Sequence, residues 1–226
     1  MTFFHEFERF LSVGTNQDIR DLLWKSCMTT FSPQLDAANK KWFTAREYKN
    51  ATFIAKGKSG AIWKVEKDGT FFAAKIEHEH STRKRMIEQE TQLLRMANQV
   101  NVGPKLYEVD FEAGILLMEY IEGIPLADWI ETVTSKIKIE KVLTRLFAQT
   151  RKLDNAGIDH GQLGGKLHNI LIGPEDRVVI LDFEKASYVR GVHNGTKVRD
   201  VLLGNRTIYS KKLHEVWPNL EDDLDL

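Results

Sequence analysis

The sequence predicts an α+β protein in which an antiparallel sheet carrying one helix precedes a small helical region. Three patterns support this fold class. From Phe53 the apolar residues follow the period of strands, between residues 139 and 153 they recur every three or four positions, and near the N-terminus they lie on one helical face. The predicted regions are a helical N-terminal extension (1–50), the sheet region (51–121) and the helical region (122–226).

The composition is that of an ordinary globular protein. The 226 residues are 42% hydrophobic, and 32 basic residues balance 32 acidic ones. A net charge of zero gives no global attraction to nucleic acid, so nucleic-acid binding is not expected beyond a local patch. The single cysteine, Cys27, excludes an internal disulfide and a cysteine-built zinc site. We find neither a signal peptide nor a membrane span, and expect a soluble cytoplasmic protein.

The sheet region has a predicted order of three strands, one helix and two strands. The dipeptide Asp68-Gly69 between two strand-like runs is a strong hairpin signal. Ser81 is the predicted N-cap of the helix, which ends before Gly103-Pro104. Four of the predicted strands cover residues 62–65, 70–76, 105–109 and 115–120.

The helical region begins after Gly123 and contains one predicted hairpin. Its first long helix ends at Asn155-Ala156-Gly157, and a polar, glycine-rich loop (159–168) follows. Two short apolar runs come next, one beginning after Asn169 and one ending before Asp182. A hairpin of these runs brings both oxygen-bearing side chains to the same end, which is the geometry that holds Mg²⁺ against ATP phosphates. Two further helices are expected, one of them at 196–203.

A glycine-rich turn lies between the first two predicted strands. Gly57 and Gly60 would let backbone N–H groups approach phosphate oxygens. Taken alone, the turn is more typical of an ordinary hairpin that needs small residues. The candidate phosphate-binding residues of this loop are Gly57, Lys58, Ser59, Gly60 and Ile62.

Lys75 ends the third strand, and Glu90 on the following helix is its predicted partner. Glu90 precedes Leu93-Leu94 by three and four positions, so its carboxylate points inward beside an apolar face. Glu88 is the rival partner. Ala73 lies on the same strand face as Lys75.

The glycine-rich loop, Lys75, Glu90, residues 116–123, Asn169 and Asp182 occur in the order found in protein kinases. The chain resembles a minimal eukaryotic-type protein kinase. In its small size it is most similar to the RIO-type kinases and the small kinase of the KEOPS complex. The resemblance implies a bilobal protein-kinase-like fold that binds ATP and Mg²⁺ between its lobes for phosphoryl transfer. Few residues follow Glu184, so a platform for an extended peptide substrate is not expected.

The resemblance also implies an adenine pocket. The Glu119 carbonyl and the Ile121 N–H would meet the adenine edge. Met118 would lie at the back of the pocket and Leu171 beneath the ring, while the small side chain of Ala73 leaves room for it.

The catalytic loop departs from the kinase pattern. Counted from His160, Gln162 stands where kinases have an aspartate, and counted back from Asn169, Lys166 stands where a lysine contacts the transferring phosphate. An amide positions a hydroxyl but cannot accept its proton at neutral pH, so we expect slow chemistry rather than none. His160 itself is interpreted as a packing residue. The residues left open as a substitute base are Asp159, His168 and Glu184.

The glycine that follows Asp-Phe in kinases is Glu184 here. It is either a further metal ligand or the ion-pair partner of Lys185 or Arg190. We favour the ion pair, because Mg²⁺ commonly uses only one or two carboxylates.

The expected function is that of an atypical Ser/Thr protein kinase or ATPase in which Gln162 aligns the acceptor. One alternative is a pseudokinase, a nucleotide-binding scaffold that acts on a protein partner through its N-terminal helices. Those helices more commonly pack against their own neighbouring lobe. Another alternative is a small-molecule kinase, although such enzymes usually retain the catalytic aspartate and a larger C-lobe.

Overall fold

The computed structural model describes residues 34–57, 59–78, 86–165, 167–204 and 206–224. The chain forms two compact units, residues 1–45 and 46–226. In the first unit, the described part is helix α1 (Ala37–Ala45), where Oδ1 of Asp36 accepts a hydrogen bond of 2.7 Å from the Asn39 N–H. The helices predicted closer to the N-terminus lie outside the described residues.

The second unit begins with a five-stranded antiparallel sheet in the order β1-β2-β3-β5-β4. The predicted hairpin between β2 and β3 is confirmed, because Asp68 and Gly69 adopt positive φ angles of 50° and 73°. A two-residue turn of this kind matches the twist of the strands that it joins. The strands are β1 (Lys49–Lys56), β2 (Gly60–Lys67), β3 (Thr70–Glu77), β4 (Leu106–Asp110) and β5 (Ile115–Glu119).

Helix α2 (Met86–Gln99) connects β3 to β4 and is amphipathic. Leu93 and Leu94 on its apolar side are almost fully buried, and Glu90 is buried on the same helix. The predicted helix is therefore confirmed from Met86 onward, while its predicted cap, Ser81, lies outside the described residues.

The rest of the unit is mostly helical and holds a second, three-stranded sheet in the order β6-β7-β8. The long helix predicted around residues 139–153 and the hairpin after it are confirmed. Sequence analysis missed β6 and α3, which are too short to display a period. The elements are β6 (Ile124–Pro125), α3 (Leu126–Thr132), α4 (Lys136–Asn155), β7 (Ile170–Ile172), β8 (Val178–Ile180), α5 (Asn194–Leu202), α6 (Ile208–Val216) and α7 (Leu220–Asp223).

One continuous apolar core joins α2 to the helical region. It contains Leu93 and Leu94 from α2, Leu143 and Leu146 from α4, and Phe183 after β8. Each fully buried side chain of this size contributes about 1.5–3 kcal/mol relative to exposure. The core thus fixes the end of β8 against the helix that carries Glu90, and the predicted α+β fold class is confirmed.

Within the described ranges, no helix combines the length and the apolar character that crossing a membrane requires.

Candidate functional site

The β7–β8 hairpin brings Asn169 and Asp182 to the same end of the small sheet. Ile170 pairs with Ile180, and the Leu181 N–H donates to the Asn169 carbonyl at 2.7 Å. Asp182 follows with φ 65° and ψ 69°, a left-handed conformation that is uncommon outside glycine. The backbone turn therefore directs the Asp182 carboxylate out of the strand.

The Asp182 carboxylate meets a buried lysine. Nζ of Lys75 lies 3.2 Å from Oδ1 of Asp182 and 2.6 Å from Oε2 of Glu90. Oε2 of Glu184 lies 3.5 Å from the same nitrogen. We call Lys75, Glu90, Asp182 and Glu184 the Lys75 cluster. The predicted pairing of Lys75 with Glu90, rather than Glu88, is confirmed.

Burial and charge act against each other within the Lys75 cluster. Lys75 and Glu90 are only 8% and 2% exposed. Burial lowers the pKa of the Lys75 ammonium, but Glu90 and the other two carboxylates outweigh this effect, and its pKa ends above the usual range. Burial raises the pKa of the Glu90 carboxyl to about 7, despite the opposing effect of Lys75. The lysine therefore stays charged, and the cluster has more acidic groups than it can neutralise.

Glu184 connects the Lys75 cluster to the glycine-rich loop. The Ser59 hydroxyl donates to Oε2 of Glu184 at 3.1 Å, across 125 residues of sequence. The prediction that Glu184 pairs with Lys185 or Arg190 was wrong. Nε of Arg190 lies 2.9 Å from Oδ2 of Asp159 instead. The reason is the turn after Asp182, which directs Glu184 toward the sheet and not toward its sequence neighbours.

The glycine-rich loop is a tight turn between β1 and β2. The Gly57 N–H donates to the Gly60 carbonyl at 2.8 Å, and the Ser59 carbonyl accepts from the His78 N–H at 3.0 Å. A Cβ atom at Gly60 would collide with the backbone carbonyl of Ile76. Gly60 is thus required for close packing at the edge of the cluster. Lys58 lies outside the described residues.

One face of the large sheet presents most of the other predicted residues. Ile62 on β2 is in register with Lys75 on β3, and Ala73 is in register with Met118 on β5. Ala73 and Lys75 are two positions apart on β3, so all four share the same face. This face forms a wall beside the Lys75 cluster.

The end of β5 is held by a contact that was not predicted from the sequence. Arg177, which precedes β8, donates to both carboxylate oxygens of Glu119 at 2.6 and 3.0 Å. Burial raises the pKa of the Glu119 carboxyl, but Arg177 and Lys105 together lower it by more, so the pKa ends below its usual range. Ile121 is buried, and Leu171 is half-buried on β7, in register with Pro125. No local sequence pattern predicts the contact of Arg177 with Glu119, because the two residues lie 58 positions apart.

Gln162 and Asn169 contact each other in the loop that leads into β7. The Asn169 Nδ2 amide group donates to Oε1 of Gln162 at 3.2 Å, and Gln162 is only 9% exposed. The Gln162 oxygen accepts this hydrogen bond. The N–H donors of Gln162 and Oδ1 of Asn169 are left for other partners. Lys166 lies outside the described residues.

His160 is a packing residue, as predicted. It is fully buried, its ring meets Phe183 edge to face at 5.0 Å, and its Nε2–H donates to the Leu181 carbonyl at 2.8 Å. Burial lowers the pKa of the His160 imidazole.

Two of the three candidates for a substitute base lie apart from the Lys75 cluster. The Asp159 carboxylate is held by Arg190 and, at 2.8 Å, by Nζ of Lys197, with a side chain only 3% exposed. Asp159 therefore pairs with these two cations and not with Lys75. His168 is exposed on the short turn before β7. Glu184 alone belongs to the cluster.

A separate cavity of about 230 Å³ lies between α4 and α5. It contains none of the residues predicted to bind nucleotide or metal. The residues that line it are Phe147, Thr150, Arg151, Asp154, Gly195, Thr196 and Arg199.

The Lys75 cluster and its neighbours suit a ligand that carries both phosphate and a divalent cation. Among the described residues, no group of three or more His, Cys, Asp or Glu side chains is arranged to hold a metal by itself. Asn169 and Asp182 supply one amide oxygen and one carboxylate, and Mg²⁺ bound to phosphates often uses so few protein ligands. The acidic excess around Lys75 favours a group that brings positive charge with it.

Comparison with known proteins gives three matches. The model of the RIO domain family matches residues 61–198, more than half of the chain. The KEOPS complex subunit Bud32 of Pyrococcus abyssi is 35% identical over 107 residues, which are 47% of this chain and 47% of that protein. A probable bifunctional tRNA threonylcarbamoyladenosine biosynthesis protein of Methanothermobacter thermautotrophicus is 33% identical over 96 residues, which are 42% of this chain and 16% of that protein. The chain therefore spans less than half of each relative.

Proposed function

The chain belongs to the RIO domain family, and from that premise we propose that it is an atypical Ser/Thr protein kinase or ATPase that uses Mg²⁺·ATP. The observation that carries the proposal is the Lys75 cluster, in which a buried lysine paired with Glu90 meets the carboxylate of Asp182. Phosphoryl transfer depends mainly on positioning and on neutralising phosphate charge. A buried cation beside a metal-binding carboxylate serves both needs.

In this proposal, residues 51–121 and 122–226 are two lobes, and ATP binds between them. The sheet face with Ala73 and Met118 covers the adenine ring, and Leu171 on β7 lies beneath it. The Glu119 carbonyl and the Ile121 N–H meet the adenine edge. The Glu119 side chain is held by Arg177, which supports this assignment because it fixes the backbone at that point.

The triphosphate lies over the Lys75 cluster in this proposal. Lys75, oriented by Glu90, contacts the phosphates from one side, and the loop from Gly57 to Gly60, with Lys58, Ser59 and Ile62, contacts them from the other. Asn169 and Asp182 would hold Mg²⁺, through an amide oxygen and a carboxylate. When bound, Mg²⁺ neutralises charge that develops on the phosphate oxygens and aligns them for transfer.

Gln162 aligns the acceptor through its amide N–H groups. Its oxygen accepts from Asn169, which supports two roles at once. The pair keeps Oδ1 of Asn169 directed at the metal, and it leaves Gln162 donors for an acceptor oxygen. Lys166 contacts the γ-phosphate. Because an amide takes no proton at neutral pH, the acceptor proton passes to solvent and turnover is slow.

The test compares the native protein with Asp182→Ala. ATP binding is measured by calorimetry and phosphate release by a coupled assay, each with and without Mg²⁺. We expect Mg²⁺-dependent phosphate release that falls at least about tenfold in the variant, because a metal ligand is lost. Equal release by the two proteins would reject the enzymatic function.

A nucleotide-binding scaffold is the second candidate, and Gln162 favours it. Bud32, one of the relatives, is a subunit of a complex by its name. In the scaffold function, we propose that this chain also binds a protein partner. ATP binding without release above the Asp182→Ala level would support the scaffold.

A further inference from the structure

Two groups assigned to the phosphates are already joined by Glu184. Oε2 of Glu184 lies 3.5 Å from Nζ of Lys75 and accepts from the Ser59 hydroxyl at 3.1 Å. Lys75 comes from β3 and Ser59 from the glycine-rich loop, so the carboxylate lies where two separate elements converge. The Glu184 side chain is only 15% exposed.

A carboxylate and a phosphate compete for the same donors. Both are anionic, accept several hydrogen bonds and pair with ammonium groups. A phosphate that takes Lys75 and the loop must therefore displace the Glu184 carboxylate or lie beside it. Because the site is shielded from water, two such anions repel each other strongly unless a cation lies between them.

We propose that Glu184 is an internal phosphate mimic that makes nucleotide binding depend on a divalent cation. It excludes metal-free ATP, whose charge it repels, and admits Mg²⁺·ATP, whose charge is partly neutralised. This inference rests on the proposed nucleotide-binding function and adds a specificity-determining residue to it. A glycine at this position would lack that charge.

Binding measurements separate this role from that of a third metal ligand. If Glu184 is a metal ligand, the native protein binds Mg²⁺·ATP more tightly than Glu184→Gln does. If Glu184 is a competing anion, the native protein binds metal-free ATP more weakly than Glu184→Gln does. Glu184→Gln keeps the size of the side chain and removes the charge. The matched control is Glu112→Gln, which removes one exposed carboxylate on the turn between β4 and β5.

The experiment measures the dissociation constants of ATP and adenosine by calorimetry, in EDTA and in excess Mg²⁺, at constant ionic strength. For Glu184→Gln we expect metal-free ATP to bind at least about tenfold more tightly than to the native protein, since a like charge at the site is removed. Mg²⁺·ATP should change less than about threefold, because Mg²⁺ already neutralises part of its charge. Adenosine, which has no phosphate, should bind equally to both proteins, and Glu112→Gln should match the native protein throughout.

Ser59→Ala is the second variant, because it releases Glu184 from the loop without removing its charge. Because the charge of Glu184 remains and a phosphate contact is lost, this variant should not show the tighter binding of metal-free ATP that is expected for Glu184→Gln. Unchanged metal-free binding in Glu184→Gln would overturn the inference, and weaker Mg²⁺·ATP binding would assign Glu184 as a metal ligand and overturn it as well. If the native protein and all variants bind no ATP, the proposed function itself fails, and this inference fails with it.

Discussion

Nζ of Lys75 lies 2.6 Å from Oε2 of Glu90, and both side chains are nearly excluded from solvent. Removing two charges from water costs several kcal/mol per ion, so a pair of this kind contributes little net stability compared with apolar residues. Breaking the pair is different, because it leaves one buried charge without its partner. The pair is therefore a sensitive probe of the site.

Above about pH 7, Lys75→Met should destabilise the protein by about 3–5 kcal/mol, because a charged Glu90 loses its buried counter-ion, and at lower pH the loss should be smaller because Glu90 binds a proton. The double variant Lys75→Met with Glu90→Leu should recover much of this loss, since the most deeply buried carboxylate is removed and only the more exposed Asp182 and Glu184 lack Lys75. Urea unfolding monitored by circular dichroism measures both. If the double variant were as unstable as the single one, the loss would come from packing and not from charge.

Glu90 should make stability depend on pH. Burial raises the pKa of the Glu90 carboxyl to about 7 from an ordinary 4.5, so the folded protein binds this proton more tightly than the unfolded chain does. The stabilisation is complete below about pH 4.5 and is lost as the pH rises through about 7. Glu90→Gln lacks it.

The free energy of unfolding of the native protein, minus that of Glu90→Gln, should therefore decrease between these pH values. Urea titrations at several pH values measure the difference. A difference that stays constant across the interval contradicts the raised pKa.

Gln162→Asp should raise turnover by about tenfold or more if Gln162 lies at the acceptor, because an aspartate can accept the hydroxyl proton. The aspartate side chain is one methylene shorter than that of Gln162, whose Oε1 accepts from Asn169 at 3.2 Å. Gln162→Asn, a shorter amide, is the matched control and should show no increase. Phosphate release under saturating Mg²⁺·ATP is the measurement, and an unchanged or lower rate in Gln162→Asp would place the acceptor elsewhere.

Gly161→Ala should destabilise the protein by at least about 2 kcal/mol, because Gly161 has φ 80° and a Cβ atom would lie 2.6 Å from the Lys185 carbonyl. Gly165→Ala, in the same loop, meets no atom within 4 Å and should stay within about 1 kcal/mol of the native protein. Thermal unfolding of the two variants gives the comparison. Equal losses would mean that the loop as a whole, and not the Gly161 conformation, limits stability.

Local patterns predicted the parts of the site that depend on neighbours along the chain. Asp68-Gly69 fixed the β2–β3 hairpin, the three- and four-residue spacing directed Glu90 inward, and two short apolar runs brought Asn169 and Asp182 together. In each case a side chain's direction follows from the period of its own helix or strand.

Long-range contacts could not be predicted in this way. Glu184 was assigned to nearby cations, but its partners Lys75 and Ser59 lie 109 and 125 residues away. The left-handed turn at Asp182, which directs Glu184 toward them, is a backbone state that no residue pattern predicts at this position. The pairing of Arg177 with Glu119 is hidden for a similar reason, since neither residue lies in a periodic segment that points to the other.

The pair of Arg177 and Glu119 bears on how a ligand can enter and leave the site. Two short, charge-assisted hydrogen bonds from Arg177 to Glu119 hold the end of β5 against the start of β8, so rotation of one sheet away from the other must first break both. In the described part of the β1–β2 turn, Ser59 is held by one hydrogen bond to Glu184 and one from His78 to its carbonyl. Ligand entry and exit should therefore involve displacement of this turn more readily than separation of the two sheets.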